Sequence, residues 1–333
     1  MQEMKAPLGL DGFFAAQNGK VHPSPFEHRG MGALSRRRFL GSVAAAAGAL
    51  AGADVMCAAA RPAQPGKVMV GAHPWVYAAT QPNYDITPVL PAIFADMQYA
   101  GLEAIELMHT ALRPPDAVER IGELSRKHSL PVLGTSFGGA MWDRAQHQVV
   151  LEEAELVITR LAKLGGRTLG TSVGQAPGRK TEKQLDAQAE LLRKIIALGE
   201  KNGVVLNLHN HTYEVADELH DLKGTLVRIP DVKLGPDLNW LVRGGVEPTV
   251  FIRQYGKQIV FLHLRDQKAN GQWSEALGEG DMDYPAIAKA LAEVGFRGDV
   301  VIELAHESKF QRTRPLRESL KLSRLFVNRV LGY

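Results

Sequence analysis

Thiols are nearly missing from this chain. Its 333 residues include one cysteine, Cys57, which lies in a segment that reads as a leader. The body of the protein therefore has no disulfide, no cysteine nucleophile and no thiolate metal ligand. No G-x-G-x-x-G follows a strand-like run and no Walker phosphate loop is present, so dinucleotide binding and P-loop chemistry have no support. A strong charge of one sign is missing too. The net charge is +3, which gives no reason to expect nucleic acid or an anionic membrane surface as a partner. Several of the basic residues fall on the last helical stretch (Arg312, Arg314, Arg317, Lys321, Arg324, Arg329) and read as a solvated helix face.

Nor is there a membrane-spanning apolar run. Residues 42–60 are rich in Ala and Gly, only weakly apolar, and interrupted by Asp54, which disfavours retention as an anchor. Before them, SRRRFLG at 35–41 resembles the twin-arginine export signal. Ala58 and Ala60 offer a small-residue cleavage site, a Pro-containing polar link follows, and Cys57 lacks a lipobox. The expectation is an N-terminal extension and cleavable signal with linker over 1–66. That implies delivery by the twin-arginine translocase, a periplasmic location and no stable membrane span in the mature form. Export of an already folded, cofactor-loaded protein agrees with a metalloprotein.

From Lys67 onward there is plenty of pattern. Hydrophobic residues make up 45% of the chain, enough for one large core. Strand-like runs at 68–75, 104–109, 131–139 and 167–174 are followed by four more: VVLNLH, VKLGPD, IVFLH and DVVIE. Between them lie runs with apolar residues at i, i+3 and i+4, several ending at Gly. Between the fifth and sixth strands the helical signal, EVADELHDLKG, is shorter. Alternation of this kind means a parallel sheet with right-handed crossovers, and eight units fit a closed (β/α)8 barrel of about 250 residues over 67–333 as one domain. An open doubly wound sheet is the runner-up.

His209, Asp237, His263 and Glu303 each end one of the last four strand-like runs. Side chains alternate across a strand. Leu206 and Leu208, Val260, Leu262 and Leu264, and Val300, Ile302 and Leu304 then face the helices. Asn207, His209, His211, Asp237, Phe261, His263, Arg265, Val301 and Glu303 face inward. Imidazoles and carboxylates gathered at the C-terminal ends of parallel strands are what a divalent metal site on such a barrel requires.

GLEAIEL, NLHNHTYEV, GPDLNWL, FLHLRDQK, LGEGDMDY and VIEL together resemble the sugar isomerase/epimerase superfamily of xylose-isomerase-like TIM barrels, which also includes endonuclease IV. The resemblance spans 67–333 and implies one divalent metal held by Glu, Asp, His and Glu. Asp237, His263 and Glu303 fill the last three places. The first falls on His209, a departure from the family's Glu, with His211 and Glu214 nearby as substitutes. Two imidazoles favour Mn, Co, Fe or Zn over Mg, with Mn, Co or Zn expected. A His at the first place also weakens a simple two-Glu epimerisation. Proton abstraction beside a metal-polarised carbonyl stays feasible, with His211 or Glu303 as base and His209 beside them.

Other residues are expected near the mouth. Glu106 matches the family's second strand, and Glu279 lies in the loop after the seventh. Trp75, Trp142 and Trp240 could offer faces to a sugar ring. Asn239, Arg265 and Lys268 are further substrate-binding candidates, while Asp266 reads as a structural partner. The expected function is a metal-dependent isomerase or epimerase acting on a non-phosphorylated sugar or keto-sugar. A keto-glycoside lyase or dehydratase on the same site is the alternative. An endonuclease IV-like phosphodiesterase needs more strand-end His and a basic groove, and a non-catalytic sugar-binding barrel would keep the ligands without turnover. The expected partner is a small carbohydrate, with homo-oligomerisation left open.

Overall fold

The computed structural model describes residues 67–307 and 310–333. The expected extension, signal and linker over 1–66 lie outside the described residues. Eight strands form one sheet: β1 Val70–Ala72, β2 Ala104–Met108, β3 Val132–Gly138, β4 Thr168–Ser172, β5 Val205–Leu208, β6 Lys233–Leu234, β7 Phe261–Leu264 and β8 Asp299–Ile302. Every pairing between them is parallel, in the order β6-β5-β4-β3-β2-β1-β8-β7. The two ends of that order meet through parallel bridges, Leu234 with Ile259 and Asp237 with His263, so the sheet closes on itself.

β6 is short because Pro236 has no N–H to donate to a ladder. Its carbonyl still accepts from the His263 backbone N–H at 3.0 Å, which seats β6 against β7 at the level of the site. Helices cross over outside the sheet: α1 Leu90–Tyr99, α2 Ala117–His128, α3 His147–Lys163, α4 Glu182–Lys201, α5 Thr212–Arg228, α6 Leu238–Arg243, α7 Pro248–Tyr255, α8 Tyr284–Glu293 and α9 Leu316–Leu331. The α4 start is fixed by a capping box between Thr181 and Gln184, which satisfies donors that a helix N-terminus leaves open. In α5, where the helical signal of the sequence is short, the backbone breaks from helical angles over 216–219.

Alternation sorts the apolar residues into two cores. Ala104, Leu133, Phe261 and Val301 fill the barrel interior. Leu206, Leu208, Leu262, Leu264, Val300 and Ile302 belong to the large layer between strands and helices. Each fully buried aliphatic side chain there contributes about 1.5–3 kcal/mol. Above the inner apolar plug the barrel lining turns polar, and that level carries the chemistry. No helix among the described residues is long and apolar enough to cross a membrane.

Candidate active site at the barrel mouth

His209 follows β5, Asp237 follows β6, His263 sits in β7 and Glu303 follows β8. His209, Asp237 and His263 form a group whose ligand atoms lie within 4.8 Å of one another, and all three are buried. The Nδ1 atoms of His209 and His263 face each other at 2.8 Å. Glu303 stands beside this group, with Oε2 3.7 Å from His263 Nδ1.

Arg265, inward like His263 two residues before it, bridges the two carboxylates. Its Nε donates to Asp237 Oδ2 at 2.8 Å and its Nη2 lies 2.5 Å from Glu303 Oε1. Asp237 also caps α6, accepting from the backbone N–H groups of Asn239 and Trp240 at 2.9 and 3.0 Å. One carboxylate is therefore oriented by a helix start and a guanidinium at once. Burial works to raise the pKa of Glu303. The charges of Arg265, His73 and His263 overcome it and hold the carboxyl at about 2. Burial works to lower His263, but Glu106 and Glu303 hold it up at about 9. His209 goes the other way: burial first, then the neighbouring His263, push it well below the ordinary imidazole value.

His211 takes a different place. Its backbone N–H donates to Glu214 Oε2 at 2.6 Å, closing a capping box at the start of α5. Glu214 Oε1 accepts from the Ser172 hydroxyl at 2.6 Å and from the Val173 N–H at 3.2 Å. The Tyr213 hydroxyl lies 2.7 Å from Ser172 Oγ and 3.3 Å from His211 Nδ1. A carboxylate only accepts, so the hydroxyl hydrogens of Ser172 and Tyr213 are committed toward it. The Tyr213 oxygen faces His211 Nδ1, and the His211 side chain accepts from the Glu214 backbone N–H in the capping box.

The remaining expected residues do not all join this group. Glu106 is completely buried inside the barrel, with Oε2 2.5 Å from His263 Nε2. Trp240 packs near His211, crosses Trp273 edge-on at 5.8 Å, and lies 5.5 Å from the Arg265 guanidinium. Asn239 accepts from the Trp273 indole N–H at 3.0 Å. Trp75 stacks on Tyr84. Trp142 is half-buried, and its indole nitrogen has no hydrogen-bond partner among the described residues. Lys268 reaches the Glu279 carbonyl, and the Glu279 carboxylate pairs with Arg314 at 2.5 Å. Asp266 gathers the backbone N–H groups of Gln267, Gly278, Gly280 and Met282 and so organises the loop after β7.

Sequence reasoning missed His73, His109 and Glu307. His73 ends β1 as the other four end their strands. Its Nδ1 accepts from the Trp75 N–H at 3.2 Å and lies 3.4 Å from Glu303 Oε1. The signal was there in VMVGAH, an apolar run ending in imidazole. His109 ends β2 in the same way and is buried edge-on against Phe137. Glu307 accepts from the Trp273 N–H at 2.9 Å and ties the β7 loop to the segment after β8, a contact that no local pattern announces.

A closed parallel barrel with imidazoles and carboxylates at its C-terminal mouth is the architecture of the family whose model matches residues 94–326, the xylose isomerase-like TIM barrel. This chain belongs to that family. It is 24% identical over 253 residues to the rhizopine catabolism protein MocC of Rhizobium meliloti, a match covering 64% of this chain and 74% of that one. Similar solved structures include an L-ribulose 3-epimerase, with a TM-score of 0.66 and 19% identity over 80% of this chain and 95% of the other. A D-allulose 3-epimerase from Methylomonas sp. gives 0.65 and 16% over 80% and 99%. A 3-keto-D-glucoside 4-epimerase from E. coli gives 0.61 and 17% over 78% and 100%.

Proposed function

We propose that this protein is a metal-dependent isomerase or epimerase of a non-phosphorylated sugar or keto-sugar. The observation that carries the reading is the convergence of His209, Asp237 and His263, with Glu303 alongside, at the mouth of a barrel whose structural neighbours convert sugars. The donor set suits a divalent cation. Glu106, Asp237 and Glu303 bring three buried carboxyl groups and Arg265 one buried guanidinium. A dication takes the place of the proton that Glu106 and Glu303 hold on His263 and supplies the positive charge these carboxyl groups call for. Two imidazoles among the donors favour Mn, Co or Zn.

Such an ion, when bound, polarises a substrate carbonyl and acidifies the neighbouring C–H. The protein's own groups do the rest. His211 is the base we assign to take that proton. Glu303 is held ionised by Arg265 and serves as ligand, and the proton that His211 takes returns from its ring to the carbon skeleton of the product. Trp240 presents an apolar face and Arg265 anchors the carboxylates. Glu214, already committed to Ser172, Val173 and the α5 start, is assigned to holding Tyr213 and His211 rather than to the ion. Loss of a leaving group from the adjacent carbon would turn the same proton abstraction into β-elimination, which keeps the lyase reading as second. The leader-like N-terminal sequence supports a periplasmic location, reached by export through the twin-arginine translocase. Non-phosphorylated substrates fit that location.

The test is proton exchange. Metal-loaded protein incubated in heavy water with a panel of ketoses and 3-keto-glycosides should incorporate deuterium at one carbon, and chelation should stop it. Sugar binding without exchange under any metal would leave only the non-catalytic reading.

A further inference from the structure

Glu106 is the least explained charged group in the barrel. In AIELM of β2, Ile105 and Leu107 join the outer core while Ala104 and Glu106 turn inward. Its carboxyl group is completely buried. Among the described residues its one hydrogen-bond partner is His263 Nε2, at 2.5 Å from Oε2, and Oε1 has none. Burying a carboxylate so sparsely paired costs stability, and a leucine or glutamine of similar size would fill the space. The fold nonetheless makes room for it: at Gly170 a Cβ would come within 3.3 Å of Glu106 Oε1. Nor is Glu106 placed to touch a substrate, because the His263 ring lies between it and the His209 side of the site.

We infer that Glu106 is a positioning residue for His263. A carboxylate can only accept, so the 2.5 Å contact keeps the hydrogen on Nε2. The lone pair of the neutral ring then resides on Nδ1, the atom turned toward His209 Nδ1 at 2.8 Å and Glu303 Oε2 at 3.7 Å. A metal-ligating imidazole whose far nitrogen donates to a carboxylate is fixed in tautomer and ring orientation and is a stronger donor. The inference rests on the metal-centre reading above and names the group that prepares one of its ligands. It also explains why a costly buried charge is kept: the cost falls on stability and the gain on metal affinity.

The experiment compares the full chain with Glu106→Gln and Glu106→Leu, reading zinc affinity by chelator competition and the melting temperature of the metal-free proteins. Zinc should bind about 10–100-fold more weakly to both variants. Glu106→Gln, which keeps an oxygen acceptor for the Nε2–H, should hold the metal-free melting temperature of the parent, while Glu106→Leu leaves that donor buried without an acceptor and should lower it. In Glu106→Gln, a purely structural residue would give the opposite pair of results. Zinc affinity within twofold of the parent in a folded variant overturns the proposal. If neither variant folds, two-bond 15N–1H correlation of the His263 ring in the zinc-loaded parent decides: hydrogen on Nε2 supports the role, a bare Nε2 refutes it. If the parent binds no zinc, manganese or cobalt, the metal-centre reading fails separately. The same spectrum of the metal-free chain at alkaline pH must still place the hydrogen on Nε2, or this inference fails as well.

Discussion

At the scale of single residues, partners divide the site. Glu303 is clamped by Arg265 and held at about 2, so it stays ionised across the working range. Glu303→Gln keeps the shape and removes the charge. Turnover should fall by about 10²-fold or more while circular dichroism stays that of the parent. Full turnover in the metal-replete variant would remove Glu303 from the chemistry. The departure from the family's Glu at His209 sets up a second comparison. His209→Ala should weaken metal binding about 10–100-fold and Glu214→Ala should not, measured by the same competition titration. The reverse ranking would make the α5 carboxylate the ligand. His211 is joined to Glu214 through Tyr213 and Ser172 and stands edge-on to His209. His211→Ala should spare metal affinity and cut turnover by roughly 10²–10⁴-fold. Tyr213→Phe, which removes the hydroxyl beside His211 Nδ1, should move turnover in the same direction by less.

At the scale of elements, the strand ends collect buried imidazoles, and these set a pH dependence. His109, at the end of β2, is brought down to about 3 by burial, with a smaller push from the charge of Arg113, against an ordinary value of 6.5. Between those two values the unfolded chain takes up a proton on this ring that the folded protein refuses. Stability from this group is therefore complete above about pH 6.5 and is lost as pH falls toward 3, by about 1.4 kcal/mol per pH unit. His109→Gln should flatten the fall in melting temperature between pH 6 and 4 by about one proton's worth, and an unchanged slope would show that the ring is not buried neutral. These elements were largely legible. Alternation in IVFLHLRD placed Phe261 in the inner core and Leu262 in the outer one, as observed. The break inside α5 left only a weak helical signal, because 216–219 abandon helical angles. β6 was read as a six-residue run and is two residues long, since proline cuts the ladder.

At the scale of the whole molecule, eight strand–helix units were readable because each carries its own period. Barrel closure was inferred from count alone and is made by two bridges beside β6 and β7. Long-range pairings were not readable. Glu106 with His263, Arg265 with Asp237 and Glu303, and Glu307 with Trp273 join residues from different strands and loops, and no local spacing encodes them. The metal-centre reading of the site has these pairings hold one divalent ion. It is tested most directly by elemental analysis and thermal unfolding of the full chain after loading with manganese, cobalt or zinc and gel filtration. About one ion per chain is expected for at least one of these metals, with a melting temperature that rises with its concentration, as binding to the folded state alone requires. A chain that retains none of the three, and whose unfolding none of them shifts, would contradict it.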